Sequence, residues 1–267
     1  MARSPLTVAA GCTDLYPLAS SRTLPGEVLD ITAIPGLRGI SRNGGWRIGA
    51  TTTWTDILRA DLPPAFDGLK QAAREVGSVQ IQNAGTVAGN LCTASPAGDS
   101  IPPLMTLNAE VELQSTRGTR RLPLGGFLTG ARRTDRAEDE LLTAVHVPEA
   151  SGTGGGHFLK LGARRYLVIS IAMTAARLEI APDGTLSTAA IAVGACSPVA
   201  VRLAALEQAL TGRPPHEAEA VVTRDRVAPY LDPIADIRAD AGYRIDAAVE
   251  LIRRCLGALA RPGARAA

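Results

Sequence analysis

Aromatic residues are scarce in this chain, and their scarcity argues against one class of function. Tryptophan, tyrosine and phenylalanine together make up 3% of the 267 residues. Proteins that hold single-stranded nucleic acid stack its bases on aromatic side chains. The 28 basic and 26 acidic residues leave a net charge of only +2, so charge gives no reason to expect nucleic acid or an anionic membrane as a partner. We expect neither.

Cysteine is also scarce, and its spacing suggests no metal site. The four cysteines are Cys12, Cys92, Cys196 and Cys255. No two of them form a C-x-x-C pair, so we expect no zinc site, no iron–sulfur cluster and no other metal on this chain. A reducing compartment, and hence a cytoplasmic location, is the simpler expectation.

Long apolar runs are missing as well. No stretch approaches the roughly 18 apolar residues of a membrane-spanning helix. The segment TVAAGC resembles the run before a lipid-bearing cysteine, but only eleven residues precede Cys12. That is too few for a charged region followed by an apolar region of about 7–15 residues. We therefore expect no membrane span and no lipid anchor.

Strand and helix patterns are mixed along the first half of the chain. EVLDITAI is rich in branched residues and alternates, which predicts a strand. GWRIGATTTWTDIL predicts a strand, a turn and a helix capped by Thr53 or Thr55. AFDGLKQAAREVG predicts a second helix, and the residues around Gly118 predict two paired strands.

The last third of the chain predicts a hairpin followed by helices. YLVISIAMTAARLEI and LSTAAIAVGA flank a Pro-Asp-Gly turn. SGTGGG, residues 151–156, is typical of a flexible junction. We predict an α+β fold with one domain over residues 1–150, divided near residue 50, and a second over residues 151–267.

Two segments, VAAGCTDL and GTVAGN, place small residues and a hydroxyl group in a tight turn. A protein holds a pyrophosphate with backbone N–H groups, and small side chains let the chain approach it closely. Thr13 and Thr86 add hydroxyl donors, and Asp99 offers an acceptor for ribose or adenine. Ordinary turns are the alternative interpretation. Neither segment matches G-x-G-x-x-G, so a nicotinamide-type Rossmann site is not predicted.

These two segments, in this order and with the residues after them, resemble the FAD-binding subunit of molybdenum hydroxylases, the family of xanthine dehydrogenase and carbon monoxide dehydrogenase. The matching motifs are AGCTDL against A-G-G-T-D-L, TVAGNL against T-[IV]-G-G-N-[IL], and ASPAGD against A-x-P-x-x-D. FLTGARRTDRAEDELLTAVHVP and HFLKLGARRYLVISIAMTAARL also resemble segments of this family. The resemblance spans nearly the whole chain.

The resemblance implies a non-covalently bound FAD and names the residues that would contact it. These are Ala9, Ala10, Gly11, Cys12, Thr13, Asp14, Leu15, Thr86, Val87, Ala88, Gly89, Asn90, Thr93, Asp99, Leu142 and Lys160. For Leu142 the alternative is a plain core residue, and for Lys160 it is a solvated cation at a strand end. Cys12 and Ala88 each stand where the family motif has glycine. No catalytic residue is predicted, since His146 and His157 have no orienting partner in sequence.

The resemblance also implies a fold and an activity. The fold is a two-part FAD-binding domain of the vanillyl-alcohol oxidase type, followed by a small domain of antiparallel sheet and helices. The activity is that of an oxidoreductase subunit. In this family a large subunit carries the molybdopterin cofactor and a small subunit carries two [2Fe–2S] clusters. Its FAD receives electrons and passes them to NAD⁺, quinone or O₂, and we expect a dimer of heterotrimers.

Two alternatives stay open at this point. One is a stand-alone flavin oxidase or reductase on the same fold, similar to the enolpyruvyl-glucosamine reductase of cell-wall synthesis. It would need its own acid or base near the flavin ring. The other is a subunit that has lost FAD and serves only in assembly, an idea motivated by Cys12 and Ala88.

Overall fold

A computed structural model of the chain describes residues 6–19 and 26–261. Its strands are β1 (Leu6–Ala9), β2 (Glu27–Asp30), β3 (Ile40–Arg42), β4 (Gly45–Gly49), β5 (Glu110–Ser115), β6 (Gly118–Pro123), β7 (Leu128–Gly130), β8 (Arg133–Thr134), β9 (Leu141–Pro148), β10 (Gly155–Leu161), β11 (Ala172–Ile180), β12 (Leu186–Gly194) and β13 (Val201–Arg202). Its α-helices are α1 (Leu15–Leu18), α2 (Trp54–Arg59), α3 (Asp67–Glu75), α4 (Val79–Ala84), α5 (Val87–Thr93), α6 (Ile101–Thr106), α7 (Leu124–Phe127), α8 (Ala204–Leu210), α9 (Ala218–Val221), α10 (Arg224–Val227) and α11 (Ala241–Ala260). Within these residues no helix is both long enough and apolar enough to cross a membrane.

The first described strands form a small parallel pair. Strand β1 pairs with β2 in the register that sets Leu6 opposite Glu27 and Ala9 opposite Asp30. The N–H of Ile31 continues the ladder to the carbonyl oxygen of Ala9 at 3.0 Å. The predicted strand EVLDITAI is therefore confirmed over its first half only. The first small-residue segment leaves directly from the carboxyl end of β1.

An antiparallel five-stranded sheet of order β3-β4-β9-β5-β6 forms the body of the first half of the chain. Helices α2, α3, α5 and α6 cover one apolar core with it, built around large side chains such as Trp54, Phe66 and Phe127. The cap predicted at Thr53 is confirmed. Its hydroxyl group accepts from the N–H of Asp56, whose carboxylate accepts in turn from the N–H of Thr53.

The last third of the chain forms an antiparallel sheet of order β10-β11-β12-β13. The predicted Pro-Asp-Gly turn joins β11 to β12, with Gly184 at φ 85°. The long helix α11 packs on β10 and β11 and encloses a second apolar core with them. The N-cap of this helix is Asp240, which accepts from the N–H of Tyr243 at 2.7 Å. The mixed α+β class is confirmed.

The glycine-rich SGTGGG segment differs from the flexible junction that we predicted. Gly155 and Gly156 lie inside β10. A Cβ atom at Gly156 would lie 2.3 Å from the carbonyl oxygen of Ala65, and one at Gly154 would lie 2.1 Å from that of Leu178. These glycines permit close backbone contact, because β10 packs tightly against α3 and the residues just before it.

Candidate functional site

The two small-residue segments contact each other directly. We call residues 10–15 the first loop and residues 85–90 the second loop. A Cβ atom at Gly11 would lie 1.9 Å from the carbonyl oxygen of Ala84, so only glycine allows this approach. A Cβ atom at Gly85 would lie 3.4 Å from the hydroxyl oxygen of Thr13. The prediction that these distant segments form one site agrees with this contact.

The first loop holds an unusual backbone conformation. Cys12 has φ 55°, in the left-handed region that glycine adopts without strain. Its thiol lies 3.4 Å from the carbonyl oxygen of Ala10. The N–H groups of Gly11, Cys12 and Thr13 have no acceptor in the described part of the chain. Cys12 therefore adopts a backbone conformation that glycine would accept without strain, and three adjacent donors have no acceptor among the described residues.

Five of the six N–H groups of the second loop, by contrast, have acceptors within the protein, the exception among the described contacts being that of Thr86. Thr86 is the N-cap of α5, and its hydroxyl oxygen accepts from the N–H of Gly89 at 3.1 Å. The N–H groups of Val87 and Ala88 donate to the carbonyl oxygens of residues 52 and 50, at 3.0 and 3.3 Å. Our expectation that both loops point free N–H groups at a phosphate does not hold for these three donors. These donors bond to the cap of helix α5 and to the turn at residues 50–52.

The Ala-for-Gly replacement at Ala88 needs no strained backbone. Ala88 lies inside α5, and its φ is not positive. Its side chain is buried in the core beneath the second loop. An alanine methyl group therefore fits where the motif of the family has glycine.

Side chains add two further links around the loops. The hydroxyl group of Thr93, at the end of α5, donates to the carboxylate of Asp14 at 2.8 Å. The amide oxygen of Asn90 accepts from the hydroxyl group of Ser100 at 2.7 Å. Thr93 and Asp14 were both predicted at the site, although they lie 79 positions apart. The structure brings them together.

Asp99 and Lys160 form a buried ion pair that joins the two halves of the chain. Lys160 Nζ donates to Asp99 Oδ2 at 2.6 Å, and the two side chains are only 7% and 9% exposed for Lys160 and Asp99 respectively. Burial raises the pKa of Asp99, and the charge of Lys160 and the hydrogen bonds to the carboxylate oppose that rise. The alternative of a solvated strand-end cation at Lys160 is wrong.

A third residue of this cluster escaped the sequence reasoning. The hydroxyl group of Ser170, in a residue only 1% exposed, donates to Asp99 Oδ1 at 2.8 Å. Ser170 sits in YLVIS, which predicts a strand and carries no polar pattern. Because the contact spans 71 positions of sequence, only the fold reveals it.

The other predicted positions lie at or near the loops. Leu142, on β9, is 2% exposed and shares a core with Val87 and Ala88. Its side chain is thus a core residue, which was the alternative to a contact with the cofactor. Ala9 is buried at the end of β1, while Ala10 and Leu15 are half-buried in the first loop.

The two histidines to which we assigned no catalytic role each have a hydrogen-bonding partner in the structure. His146 Nε2 lies 2.8 Å from Glu112 Oε2, and His157 Nδ1 lies 3.1 Å from the amide nitrogen of Gln71. Burial alone would raise the pKa of Glu112. Hydrogen bonds from Thr143, His146 and Arg47 outweigh that effect and lower this pKa to about 2. This cluster lies on the five-stranded sheet and includes no residue of either loop.

A large open cleft of about 1130 Å³ lies elsewhere on the surface. Arg38, Arg42, Lys70 and Arg74 are among the residues that line it. Arg38 and Arg42 are paired there with Asp56 and Glu149. None of the predicted site residues lines this cleft. Within residues 6–19 and 26–261 no group of three or more His, Cys, Asp or Glu side chains could hold a metal ion.

Comparison with protein families gives two consecutive matches. Residues 1–150 match the FAD binding domain in molybdopterin dehydrogenase. This chain belongs to that family. Residues 157–259 match the CO dehydrogenase flavoprotein C-terminal domain. The resemblance drawn from the loop motifs is confirmed, as is the assignment of this chain as an FAD-binding oxidoreductase subunit.

Named relatives agree. The chain is 30% identical to the xanthine dehydrogenase FAD-binding subunit of Escherichia coli O157:H7, over 82% of this chain and 76% of that one. It is 32% identical to the nicotine 6-hydroxylase medium subunit of Paenarthrobacter nicotinovorans, over 93% of this chain and 88% of that one.

A solved structure supports the fold. A chain of the carbon monoxide dehydrogenase of Hydrogenophaga pseudoflava superposes with a TM-score of 0.86 at 30% identity, over 96% of this chain and 90% of that one. An FAD-binding domain followed by a domain of antiparallel sheet and helices is the arrangement that we predicted.

Proposed function

We propose that this chain is the electron-transfer subunit of a molybdenum hydroxylase complex and holds FAD where the two loops meet. The observation that carries the proposal is the contact of Gly11 with Ala84. It sets beside the second loop three N–H groups that have no acceptor among the described residues. Three adjacent donors with small side chains suit a pyrophosphate. Each hydrogen bond to a charged acceptor contributes about 1.5–3 kcal/mol.

The residues present fit FAD, and different residues would contact different parts of it. Gly11, Cys12 and Thr13 would donate N–H groups to the diphosphate. The hydroxyl group of Thr86 accepts from Gly89, so its proton is free to serve as a further donor. Lys160 would supply positive charge from the C-terminal half. When bound, FAD supplies the redox chemistry, because it accepts single electrons and releases a pair.

Partners would complete the enzyme. Electrons would come from [2Fe–2S] clusters on a small subunit, after a large subunit with a molybdopterin cofactor has oxidised the substrate. They would leave to NAD⁺, quinone or O₂. We propose a dimer of such heterotrimers in the cytoplasm. Support comes from relatives named as a medium subunit and a medium chain and from the exposed apolar residues Tyr166, Leu167 and Ile169 close to Lys160 in sequence.

We also propose that residues 1–150 and 151–267 act as the two domains, with a division near residue 50 in the first. The buried pair of Asp99 and Lys160 would then join them directly.

The first experiment is to purify the chain from its host under mild conditions, record its visible spectrum and identify released flavin by mass. We expect a yellow protein that releases intact FAD, together with a large molybdenum subunit and a small iron–sulfur subunit. A colourless chain with those partners would support an assembly-only role instead. A yellow chain without partners would support a stand-alone flavoenzyme.

A further inference from the structure

We propose that Ser170 is a positioning residue for the cofactor site, acting through Asp99 to fix the hairpin loop of residues 162–169. This inference rests on the proposed function. The two oxygens of Asp99 receive one donor each from the C-terminal half, Lys160 Nζ at 2.6 Å and Ser170 Oγ at 2.8 Å. One carboxylate therefore binds both ends of the same loop.

The loop is closed at its neck by the strands that flank it. Strand β10 pairs with β11, setting Lys160 opposite Met173 and Leu161 opposite Ala172. The N–H of Ile171 donates to the carbonyl oxygen of Leu161 at 2.8 Å. Lys160 is the second-last residue of β10 and Ser170 lies two residues before β11, so a single buried carboxylate can contact both.

The backbone next to Ser170 is fixed by the side chain of Arg244. The carbonyl oxygen of the next residue, Ile171, accepts from a guanidinium nitrogen of Arg244 at 2.5 Å. Arg244 is buried and paired with Asp236 at 2.8 Å. The hydroxyl group is therefore presented to Asp99 from a fixed backbone. This is the arrangement expected of a residue that orients another one.

The loop of residues 162–169 has an unusual, exposed conformation that the contacts with Asp99 would hold in place. Tyr166, Leu167 and Ile169 are exposed, and Leu167 has φ 52° with its carbonyl oxygen bound by the side chain of Arg164. The contacts of Lys160 and Ser170 with Asp99 tie both ends of this loop to the first half of the chain. Without the hydroxyl group of Ser170, Asp99 Oδ1 loses a hydrogen bond in a buried position, and the carboxylate is free to turn.

The test is a double-mutant cycle on the full chain, with FAD affinity read from quenching of flavin fluorescence. We expect Ser170→Ala to raise the Kd for FAD about tenfold, because the loop is then no longer held in place before FAD binds. Asp99→Ala, which removes both acceptor oxygens, should weaken binding further, and the double variant should match Asp99→Ala alone, because Ser170 acts through that carboxylate. Independent, additive effects of the two changes would overturn the inference, as would an unchanged Kd in Ser170→Ala.

Ser151→Ala is the matched control. Ser151 is 2% exposed and accepts a hydrogen bond from Asn108, outside both loops. We expect it to lower the melting temperature about as much as Ser170→Ala while leaving the Kd for FAD unchanged. A similar loss of affinity in both variants would mean that Ser170 serves stability alone.

Amide hydrogen exchange separates this inference from the proposed function. Residues 162–169 should exchange faster in Ser170→Ala and not in Ser151→Ala, with or without flavin. If the wild-type chain binds no FAD, the proposed function fails, and the exchange result still decides whether Ser170 fixes the loop. Unchanged exchange in that loop would overturn the inference.

Discussion

The first loop, residues 10–15, and the second loop, residues 85–90, differ in where their backbone N–H groups go. In the second loop the N–H groups of Val87, Ala88 and Gly89 all have acceptors inside the protein. In the first loop those of Gly11, Cys12 and Thr13 have none among the described residues. Two segments of similar composition therefore differ in how their backbone is hydrogen-bonded.

This difference suggests that the second loop supports the first loop, and that the first loop is the one with donors available for a ligand. The second loop is a capped helix start, seated in the core through Val87 and Ala88. It forms the firm surface on which the first loop lies. The first loop keeps its donors available and its backbone strained at Cys12, as expected of a segment that binds a ligand. Substitutions in and away from the loops test this division.

Gly11→Ala should be the most damaging change, because it separates the loops. The new Cβ atom would lie 1.9 Å from a backbone oxygen, so one loop must move. We expect the free energy of unfolding to fall by about 3 kcal/mol and FAD binding to be lost in a fluorescence titration. The control is Gly126→Ala, where a Cβ atom meets nothing within 4 Å. Wild-type affinity in Gly11→Ala would show that the loop contact is dispensable.

Glu112→Gln tests whether stability lost away from the loops leaves the site intact. The folded pKa of about 2 lies below the ordinary value of 4.5. Its contribution is therefore fully present above about pH 4.5 and is lost as the pH falls towards 2.

We expect Glu112→Gln to lower the free energy of unfolding by about 2 kcal/mol at neutral pH and to flatten its dependence on pH between those values. Urea unfolding across pH measures both effects. The Kd for FAD should stay at the wild-type value near pH 7. A weaker Kd would mean that the loops respond to any loss of stability, and the comparison between them would lose its force.

Thr86→Val removes the cap of the supporting loop while nearly keeping the side-chain volume. The N–H of Gly89 loses its acceptor, and we expect a loss of about 1 kcal/mol in urea unfolding. FAD affinity should fall by severalfold, because the hydroxyl donor is lost as well. Thr86→Ser keeps the hydroxyl group and should behave like wild type. If it behaves like Thr86→Val, the hydroxyl group is not the cause.

Cys12→Gly should change stability least, and the change should be a gain. Glycine adopts a φ of 55° without the cost of about 1 kcal/mol that a side chain adds there. The larger conformational freedom of glycine in the unfolded state offsets part of this gain. Cys12→Ala keeps the Cβ atom and should show no gain. An improvement in Cys12→Ala would point to the thiol rather than to the backbone as the source of strain.

Sequence reasoning reached most of the elements because local patterns decide them. The Thr53 cap, the strands around Gly118 and the turn at Gly184 all follow from short-range rules of capping and turn geometry. It failed at SGTGGG. A glycine of this segment is needed because the backbone of Ala65 packs closely against it. No local rule tells a glycine needed for close packing from one in a flexible segment.

The candidate site was proposed for a different reason. Its loop residues were found from family motifs, and their small side chains agree with the close contact at Gly11. Which N–H groups remain free could not be found in this way. The acceptors of Val87 and Ala88 are the carbonyl oxygens of residues 52 and 50, brought close only by folding.

Motifs and the conformational preferences of single residues were enough to predict the family, the α+β class and two loops that contact each other. Folding decided the rest. It buries Lys160, sets Ser170 on the second oxygen of Asp99, and divides the two loops into one that supports and one that keeps its donors available. Burial and hydrogen bonding depend on which distant segments come together, and no local stretch of the chain contains that information.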